Sequence, residues 1–223
     1  FAGDYDETIV MNIITRAEQE LGGIPQGLAP NAIQGPSKSR IVLVDKPDRT
    51  QAQTLIGVPA ISGLHADSDL FWLGTVAFGG TFTSPFTSQV RDERGWSYFA
   101  SATYNRRRRH TASLLLSTAP GLEYAVDCLE LQLELLRGFA KQAVRIEDVE
   151  RTRSYLLNRY PFTIATPAAM QIPVIQNELL GLPASEIYDF SERLSKFSSK
   201  RIQKVIQEVL DLKPFVAVMV APS

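Results

Sequence analysis

Apolar residues recur at helical spacing near the start of the chain. They return every three or four positions over residues 9–21, behind an Asp4–Glu7 pair that resembles a capping box, and two glycines end the pattern. This spacing predicts an amphipathic first helix. Residues 22–39 are rich in proline and glycine and predict a long surface loop, with a domain linker as the alternative.

Two strand-like segments and an apolar helix follow. Residues 40–45 and 50–58 lie on either side of a Lys-Pro-Asp turn, which predicts two neighbouring strands. Residues 67–78 are apolar on nearly every side, so the helix predicted there is expected to be buried. Gly79 and Gly80 end this helix.

A short helix and a hairpin are predicted at the centre of the chain. Ser84 is placed to be an N-cap, Pro85 suits the first helical position, and Gly95 is placed to end the helix. Residues 97–105 and 111–118 then predict the two strands of a hairpin.

The second half of the chain is mostly helical. The pattern predicts five helices and a closing strand, at residues 122–142, 146–159, 167–180, 185–194, 198–210 and 215–221. Pro161 is expected to end the second of these helices, and Pro173 to kink the third. Helices on one face of an antiparallel sheet give an α+β fold, predicted here as a single domain over residues 1–223.

Composition excludes several classes of function. Lys and Arg number 23 against 24 Asp and Glu, and this near balance argues against a nucleic-acid or anionic-membrane partner. No apolar run approaches the ~20 residues that cross a bilayer. The arginines at 106–109 are interpreted as a solvated hairpin tip, over the alternative of a site for an acidic partner. Because the chain opens at Phe1 almost directly into a helix, we expect it to be part of a longer polypeptide with any targeting signal upstream.

Candidate metal ligands and nucleophiles are few. The two histidines, His65 and His110, are far apart and belong to no His-x-x-Glu-His or His-Glu-x-x-His motif, so no metal site is predicted. His65 is expected in a loop before a helix, and His110 at the hairpin. Cys128 lies among apolar helical positions, which favours a buried, unreactive thiol. The Gly79-Gly80 pair by itself indicates a helix end rather than a nucleotide site.

The segment 79–102 carries the candidate chemistry. Arg91 lies near the end of the predicted helix, and Gly95 permits a sharp exit into a strand in which Trp96, Tyr98 and Ala100 would share one face. Arg91 and Tyr98 can therefore project near one corner, where a guanidinium and a phenol suit a peptide carbonyl or its oxyanion. The alternative is that Arg91 pairs with a surface carboxylate and Tyr98 packs in the core.

The order of motifs along the chain resembles the pitrilysin/insulinase family of zinc peptidases, which includes the mitochondrial processing peptidases. The zinc-free second domain of these subunits has a Gly-Asp, a Gln-containing strand that ends in glycine, an Asp-initiated helix, a double glycine, and a serine segment that leads to Arg-Gly-x-x-Tyr. Here these motifs appear as Gly3-Asp4 and as residues 51–57, 67–77, 79–80 and 84–98.

The resemblance implies a role opposite a zinc site. Family subunits have two similar domains, and two such halves close as a clamshell around a peptide, with zinc in an N-terminal domain of one half. Arg91 and Tyr98 match the family's Arg/Tyr pair, which contacts substrate near the scissile carbonyl. Gly79 and Gly80 match the glycine-rich segment implicated in substrate binding. No cofactor is expected on this chain, and the implied partners are a zinc-bearing domain or subunit of the family and a peptide.

The chain also departs from the family pattern. Ser84-Pro85-Phe86 stands where the family has Ser-Arg-Leu, which leaves open the contact made by that arginine, and Val90 replaces a leucine. Relatives that serve as core subunits of a respiratory complex make a structural scaffold the alternative function. A zinc motif upstream in the same chain is a third possibility. Bacterial relatives with a similar Gly-Trp-Ser-Tyr segment are often exported, so the resemblance favours a periplasmic location.

Overall fold

One five-stranded sheet is the centre of the fold. The computed structural model describes residues 1, 3–22, 35–106, 112–183, 185–211 and 213–222. The strands are β1 (Arg40–Asp45), β2 (Gln53–Ala60), β3 (Ala100–Asn105), β4 (Ala112–Thr118) and β5 (Val216–Ala221). They lie in the order β1-β5-β2-β4-β3, and three of the four neighbouring pairs are antiparallel.

The pairing of β1 with β2 was expected from their short connection, and this expectation is wrong. β5 lies between them, parallel to β1 and antiparallel to β2, so that Val218 is in register with Val42 on one side and Leu55 on the other. In this position the apolar strand β5 pairs with one strand on each side. The hairpin of β3 and β4 is confirmed, with Ala102 in register with Leu116.

Eight helices accompany the sheet in the described part of the chain. They are α1 (Glu7–Leu21), α2 (Ser68–Gly79), α3 (Pro85–Thr87), α4 (Ala125–Gln142), α5 (Ile146–Thr163), α6 (Pro167–Leu180), α7 (Glu186–Lys196) and α8 (Ser199–Leu210). A single 3₁₀ turn, Leu122–Tyr124, leads into α4. None of the helices described is long and apolar enough to cross a bilayer.

Helices cover one face of the sheet, as the α+β prediction requires. Ile56 on β2 and Leu114 and Leu116 on β4 are fully buried, whereas the residues next to each of them in the chain are half-buried or exposed. This alternation is typical of a sheet with one face against the core. The buried side chains meet α2, whose Phe71 and Leu73 are also fully buried, so the apolar character of residues 67–78 correctly predicted a buried helix.

The first helix differs from its prediction at its start. Asp6, and not Asp4, is the N-cap: its Oδ1 accepts from the amides of Thr8 at 2.8 Å and Ile9 at 3.2 Å. Only Val10 of α1 is buried, so the helix has little contact with the described remainder of the fold. Residues 23–34 of the predicted loop lie outside the described residues.

Pro161 does not end its helix, contrary to the prediction. α5 continues through Pro161 to Thr163, because a proline near a helix end removes one hydrogen bond while its backbone angle remains helical. Pro173 lies inside α6, which runs on to Leu180. Gly181, with a positive φ of 73°, ends α6 as predicted.

Candidate functional site

The helix that carries Arg91 is wider than an α-helix. After the first turn of α3 it continues as a π-helical segment, Ser88–Glu93, and ends at Gly95, whose φ is 65°. The amide of Gly95 donates to the Arg91 carbonyl at 3.1 Å, and the amide of Trp96 donates to the Val90 carbonyl at 3.2 Å. These bonds close the helix end, and the positive φ explains why glycine suits this position. π-helical turns of this kind are frequent at functional sites.

The chain does not enter a strand directly after Gly95. β3 begins only at Ala100, so the predicted common strand face of Trp96, Tyr98 and Ala100 is wrong. The Trp96 ring instead stacks on Tyr124 with 5.9 Å between ring centres, and Ala100 is buried. Tyr98 is 80% exposed in the irregular segment between them. The Ser97 hydroxyl shapes this segment by donating to the Phe99 carbonyl at 2.5 Å and accepting from the Ala119 amide at 3.0 Å.

Arg91 and Tyr98 nevertheless meet, as predicted. The guanidinium carbon of Arg91 lies 5.0 Å from the centre of the Tyr98 ring. A second ring, Phe82, lies 4.8 Å from the same atom. Both distances are within the range of a cation–π contact, so the Arg91 cation contacts two aromatic rings.

The donors of this guanidinium remain available. Arg91 Nε is 4.0 Å from Asp92 Oδ1, which is beyond hydrogen-bond distance, and the described residues provide no other acceptor for the side chain. The side chain is 31% exposed. The alternative interpretation is right in one part and wrong in the other: Arg91 forms a long ion pair with the surface carboxylate of Asp92, but Tyr98 is exposed and does not pack in the core.

The neighbouring arginine is bound to its own helix. Arg94 Nη1 donates to the Gln89 carbonyl at 3.0 Å and to Gln89 Oε1 at 2.6 Å, and its guanidinium lies 5.5 Å from the Trp96 ring centre. Gln89 in turn donates to Glu93. The two guanidinium groups at this helix end therefore differ in their surroundings: Arg94 is hydrogen-bonded to Gln89 through Nη1, whereas Arg91 contacts Phe82 and Tyr98.

Phe82 is a site residue that the sequence did not single out. It lies in the loop of residues 80–84 between α2 and α3, and it is 66% exposed. A large apolar side chain beside a double glycine was the available signal. Its contact with Arg91 depends on the path of the loop, which local pattern does not indicate.

The two glycines before this loop have a packing role in the structure. A Cβ on Gly79 would lie 2.6 Å from the Ala102 Cβ and 2.9 Å from the Ala102 nitrogen, so Gly79 allows α2 to approach β3 closely. Gly80 follows as the C-cap of α2, and its amide donates to the Val76 carbonyl at 2.9 Å. The predicted substrate contacts of Gly79 and Gly80 remain a prediction.

The departures from the family pattern lie on the buried side of this helix. Phe86 and Val90 are both fully buried, and Phe86 packs 5.5 Å from Phe78 in ring-centre distance. Ser84 has the N-cap position, but its hydroxyl donates to the Thr81 carbonyl at 2.5 Å instead of capping the helix. The substitution by Pro85 begins the helix in the position that proline favours.

Titratable groups elsewhere do not assemble into a metal centre in the described part of the chain, where no group of three His, Cys, Asp or Glu is placed to hold an ion. His65 lies in the loop before α2, as predicted, and its Nδ1 accepts from the Asp67 amide at 3.1 Å. His110 and residues 107–109 of the arginine-rich turn lie outside the described residues. Cys128 is fully buried, as predicted, and burial raises the pKa of its thiol more than the hydrogen bonds of Thr118 and Gln132 lower it.

A family model and several solved structures match this chain. The model, described as the peptidase M16 inactive domain, matches residues 1–156. The structure of a peptidase M16 inactive domain from Pseudomonas fluorescens is 18% identical, with a TM-score of 0.79, over 99% of this chain and 52% of that one. The periplasmic protease PqqL from Escherichia coli is 14% identical, with a TM-score of 0.70, over 99% of this chain and 25% of that one.

The fold is also found in a chain of a larger complex. A chain of complex III2 from Candida albicans is 13% identical, with a TM-score of 0.70, over 98% of this chain and 53% of that one. No curated protein matches the chain in sequence. At these identities the structures demonstrate the fold alone, and this chain spans about half the length of the Pseudomonas and Candida chains.

These matches define the class of protein. The α+β fold is that of the peptidase M16 inactive domain, and the chain belongs to the peptidase M16 inactive-domain family. The resemblance stated from the sequence is thereby confirmed.

Proposed function

We propose that this chain is the substrate-binding, non-catalytic domain of a zinc metalloendopeptidase that cleaves peptides in a clamshell chamber, with the zinc held by another domain or subunit. The observation that carries the proposal is the Arg91 guanidinium, which contacts the rings of Phe82 and Tyr98 and makes no hydrogen bond within the described residues. Membership of the M16 inactive-domain family supports it, as does the similarity to a periplasmic protease.

The geometry suits recognition of a peptide backbone. A guanidinium offers several N–H donors in one plane, and those of Arg91 make no hydrogen bond within the described residues. Because the rings limit rotation of the side chain, less conformational entropy is lost when a peptide carbonyl binds. Arg91 would orient the peptide in this way.

Tyr98 would act on the reacting carbonyl. Its hydroxyl is on an exposed ring, so it can reach a group on a facing domain. Zinc held by the partner would supply an activated water for attack on the peptide carbonyl. The Tyr98 O–H would then donate to the oxyanion that develops, an interaction worth about 2.7–4 kcal/mol of barrier at other oxyanion sites.

The test is a reconstituted peptidase. The chain, or the longer protein that contains it, is combined with a zinc-bearing half of the family, and hydrolysis of a quenched-fluorescent casein peptide is measured. We expect Arg91→Met to lower kcat/KM by about 10- to 100-fold, since a charged hydrogen bond contributes roughly 1.5–3 kcal/mol.

Arg94→Met is the matched control. It removes the same charge three residues away, from a guanidinium that is bound to Gln89 and Trp96. It should leave kcat/KM within about twofold, because this guanidinium lies on the Trp96 ring and not on the rings of Phe82 and Tyr98. Equal effects of the two substitutions would contradict the proposal.

A structural scaffold role is the second candidate function, favoured by the similarity to a chain of complex III2. Affinity purification from native extract separates the two: recovery of a peptidase half supports the substrate-binding role, and recovery of a membrane-bound respiratory assembly supports the scaffold. In the scaffold case, Arg91→Met would alter neither assembly nor any peptide hydrolysis.

A further inference from the structure

The loop of residues 80–84 presents Phe82 to Arg91 and is held from two sides. On the side of β3, the Ser84 hydroxyl is 3.2 Å from the Thr87 hydroxyl, which donates to the Ala100 carbonyl at 3.1 Å. On the other side, Arg151 Nη2 of α5 donates to the Thr83 carbonyl at 3.2 Å. This second contact comes from 68 residues away in the chain and joins the loop immediately after Phe82.

The direction of the Arg151 side chain is determined by a buried carboxylate. Asp148, one turn earlier on α5, has 1% of its side chain exposed and accepts from Arg151 Nη2 at 2.6 Å. The two hydrogens of Nη2 therefore serve Asp148 Oδ1 and the Thr83 carbonyl together. A buried carboxylate needs charged partners to offset its desolvation, so the ion pair with Asp148 favours the orientation in which Arg151 reaches the loop.

Asp148 has a second partner that does not touch the loop. Arg145 donates to both carboxylate oxygens, with Nε at 2.8 Å and Nη2 at 3.1 Å. Two parallel hydrogen bonds of this kind are the strongest arrangement between an arginine and a carboxylate. Arg151 differs from Arg145 in its additional hydrogen bond to the Thr83 carbonyl. Half of the Arg151 side chain is exposed.

We propose that Asp148 and Arg151 are positioning residues for the peptide site: they anchor the Thr83 carbonyl so that the Phe82 ring stays on the Arg91 guanidinium. This inference rests on the proposed function. It adds two residues of α5 to the site of Arg91 and Tyr98, although α5 is distant from that site in sequence.

The experiment compares two arginines that share one carboxylate. Binding of a fluorescein-labelled casein peptide to the reconstituted peptidase is measured by anisotropy for Arg151→Met and Arg145→Met. Arg151→Met should weaken binding by about 3- to 10-fold, in line with loss of part of a cation–π contact, whereas Arg145→Met should stay within about twofold. Both should lower thermal stability, because each removes a partner of Asp148.

A double-mutant cycle tests whether Arg151 affects peptide binding through Phe82. Phe82→Leu alone should weaken binding, and Arg151→Met added to it should cause no further loss, since the arginine acts through the ring. Additive effects would overturn the inference. If Arg151→Met does not fold, Arg151→Lys retains a charge near Asp148 without the planar fork that bridges two acceptors, and the same loss of binding is expected.

Failure of this inference is distinguishable from failure of the proposed function. If Arg91→Met weakens peptide binding while Arg151→Met and Arg145→Met behave alike, the anchoring role is wrong and the substrate site stands. If Arg91→Met leaves peptide binding unchanged, the proposed function fails, and the anchoring role fails with it.

Discussion

The guanidinium carbon of Arg91 lies 5.0 Å from the centre of the Tyr98 ring, seven residues later in the chain. A π-helical turn, a glycine with positive φ and an irregular segment together bring the two side chains to this distance. Tyr98 therefore has two separable features: a ring face that contacts the cation and a hydroxyl that is free to reach outward.

Substitutions of Tyr98 should separate these features. Tyr98→Phe keeps the ring on Arg91, so peptide binding should stay within about twofold, while kcat of the reconstituted peptidase should fall by about 100-fold through loss of an oxyanion donor. Tyr98→Leu removes both and should also weaken binding. Steady-state kinetics and peptide anisotropy provide the measurements, and unchanged kcat in Tyr98→Phe would remove the hydroxyl from the mechanism.

The close approach of α2 to β3 makes Gly79 intolerant of a side chain. Gly79→Ala would place a Cβ 2.6 Å from the Ala102 Cβ and 3.1 Å from the Phe86 ring, so it should lower the free energy of unfolding by about 1–3 kcal/mol. Gly138→Ala in α4 is the control: nothing lies within 4 Å of its added Cβ, and the change should stabilise by up to about 1 kcal/mol. Urea denaturation measures both, and similar values for the two would show that α2 can shift.

Protonation of Asp148 at low pH should lower the free energy of unfolding. Burial by itself would raise the pKa of this carboxyl, but the hydrogen bonds and charges of Arg145 and Arg151 outweigh it and hold the pKa below its usual value. The stability from such a lowered pKa is present above the unfolded-state pKa of about 4 and is lost as pH falls through the folded-state pKa. Asp148→Asn should therefore be less stable than the parent at neutral pH and should lose less stability on acidification.

Glu192 is the matched control for that pH dependence. Its pKa is also lowered, by the hydrogen bond and charge of Lys196, but both side chains are largely exposed. Water and salt screen an exposed pair of this kind, so Glu192→Gln should leave the pH profile of stability unchanged. Urea denaturation at about pH 7 and about pH 3 distinguishes the two variants.

The buried thiol of Cys128 should be unreactive in the folded protein. Its raised pKa disfavours the thiolate, and no path for a reagent exists at a fully buried side chain. Labelling by a disulfide reagent should proceed no faster than unfolding and become rapid in urea. Ser195→Cys adds an exposed thiol and should react at once in the native state; equally fast labelling of the parent would contradict the burial.

Local pattern was sufficient to predict most of the helices and strands and the spacing of the corner. The end of α6 at Gly181 and the burial of α2 were predicted correctly, because each depends on only a few neighbouring residues. The distance of seven residues between Arg91 and Tyr98, with Gly95 between them, allowed the two side chains to meet but did not exclude the alternative, and the strand expected to carry Tyr98 begins only at Ala100. The widening of the helix into a π-turn has no such signal.

Contacts between distant segments were decided by the tertiary structure alone. The sequence determines that residues 215–221 form an apolar strand, but not that this strand lies between β1 and β2. It likewise gives no sign that Phe82 rests on Arg91 or that Arg151 reaches the Thr83 carbonyl. Periodicity specifies which face of an element is buried, whereas the partner of that face is chosen by packing and hydrogen bonding over the whole chain, and those energies have no local signature.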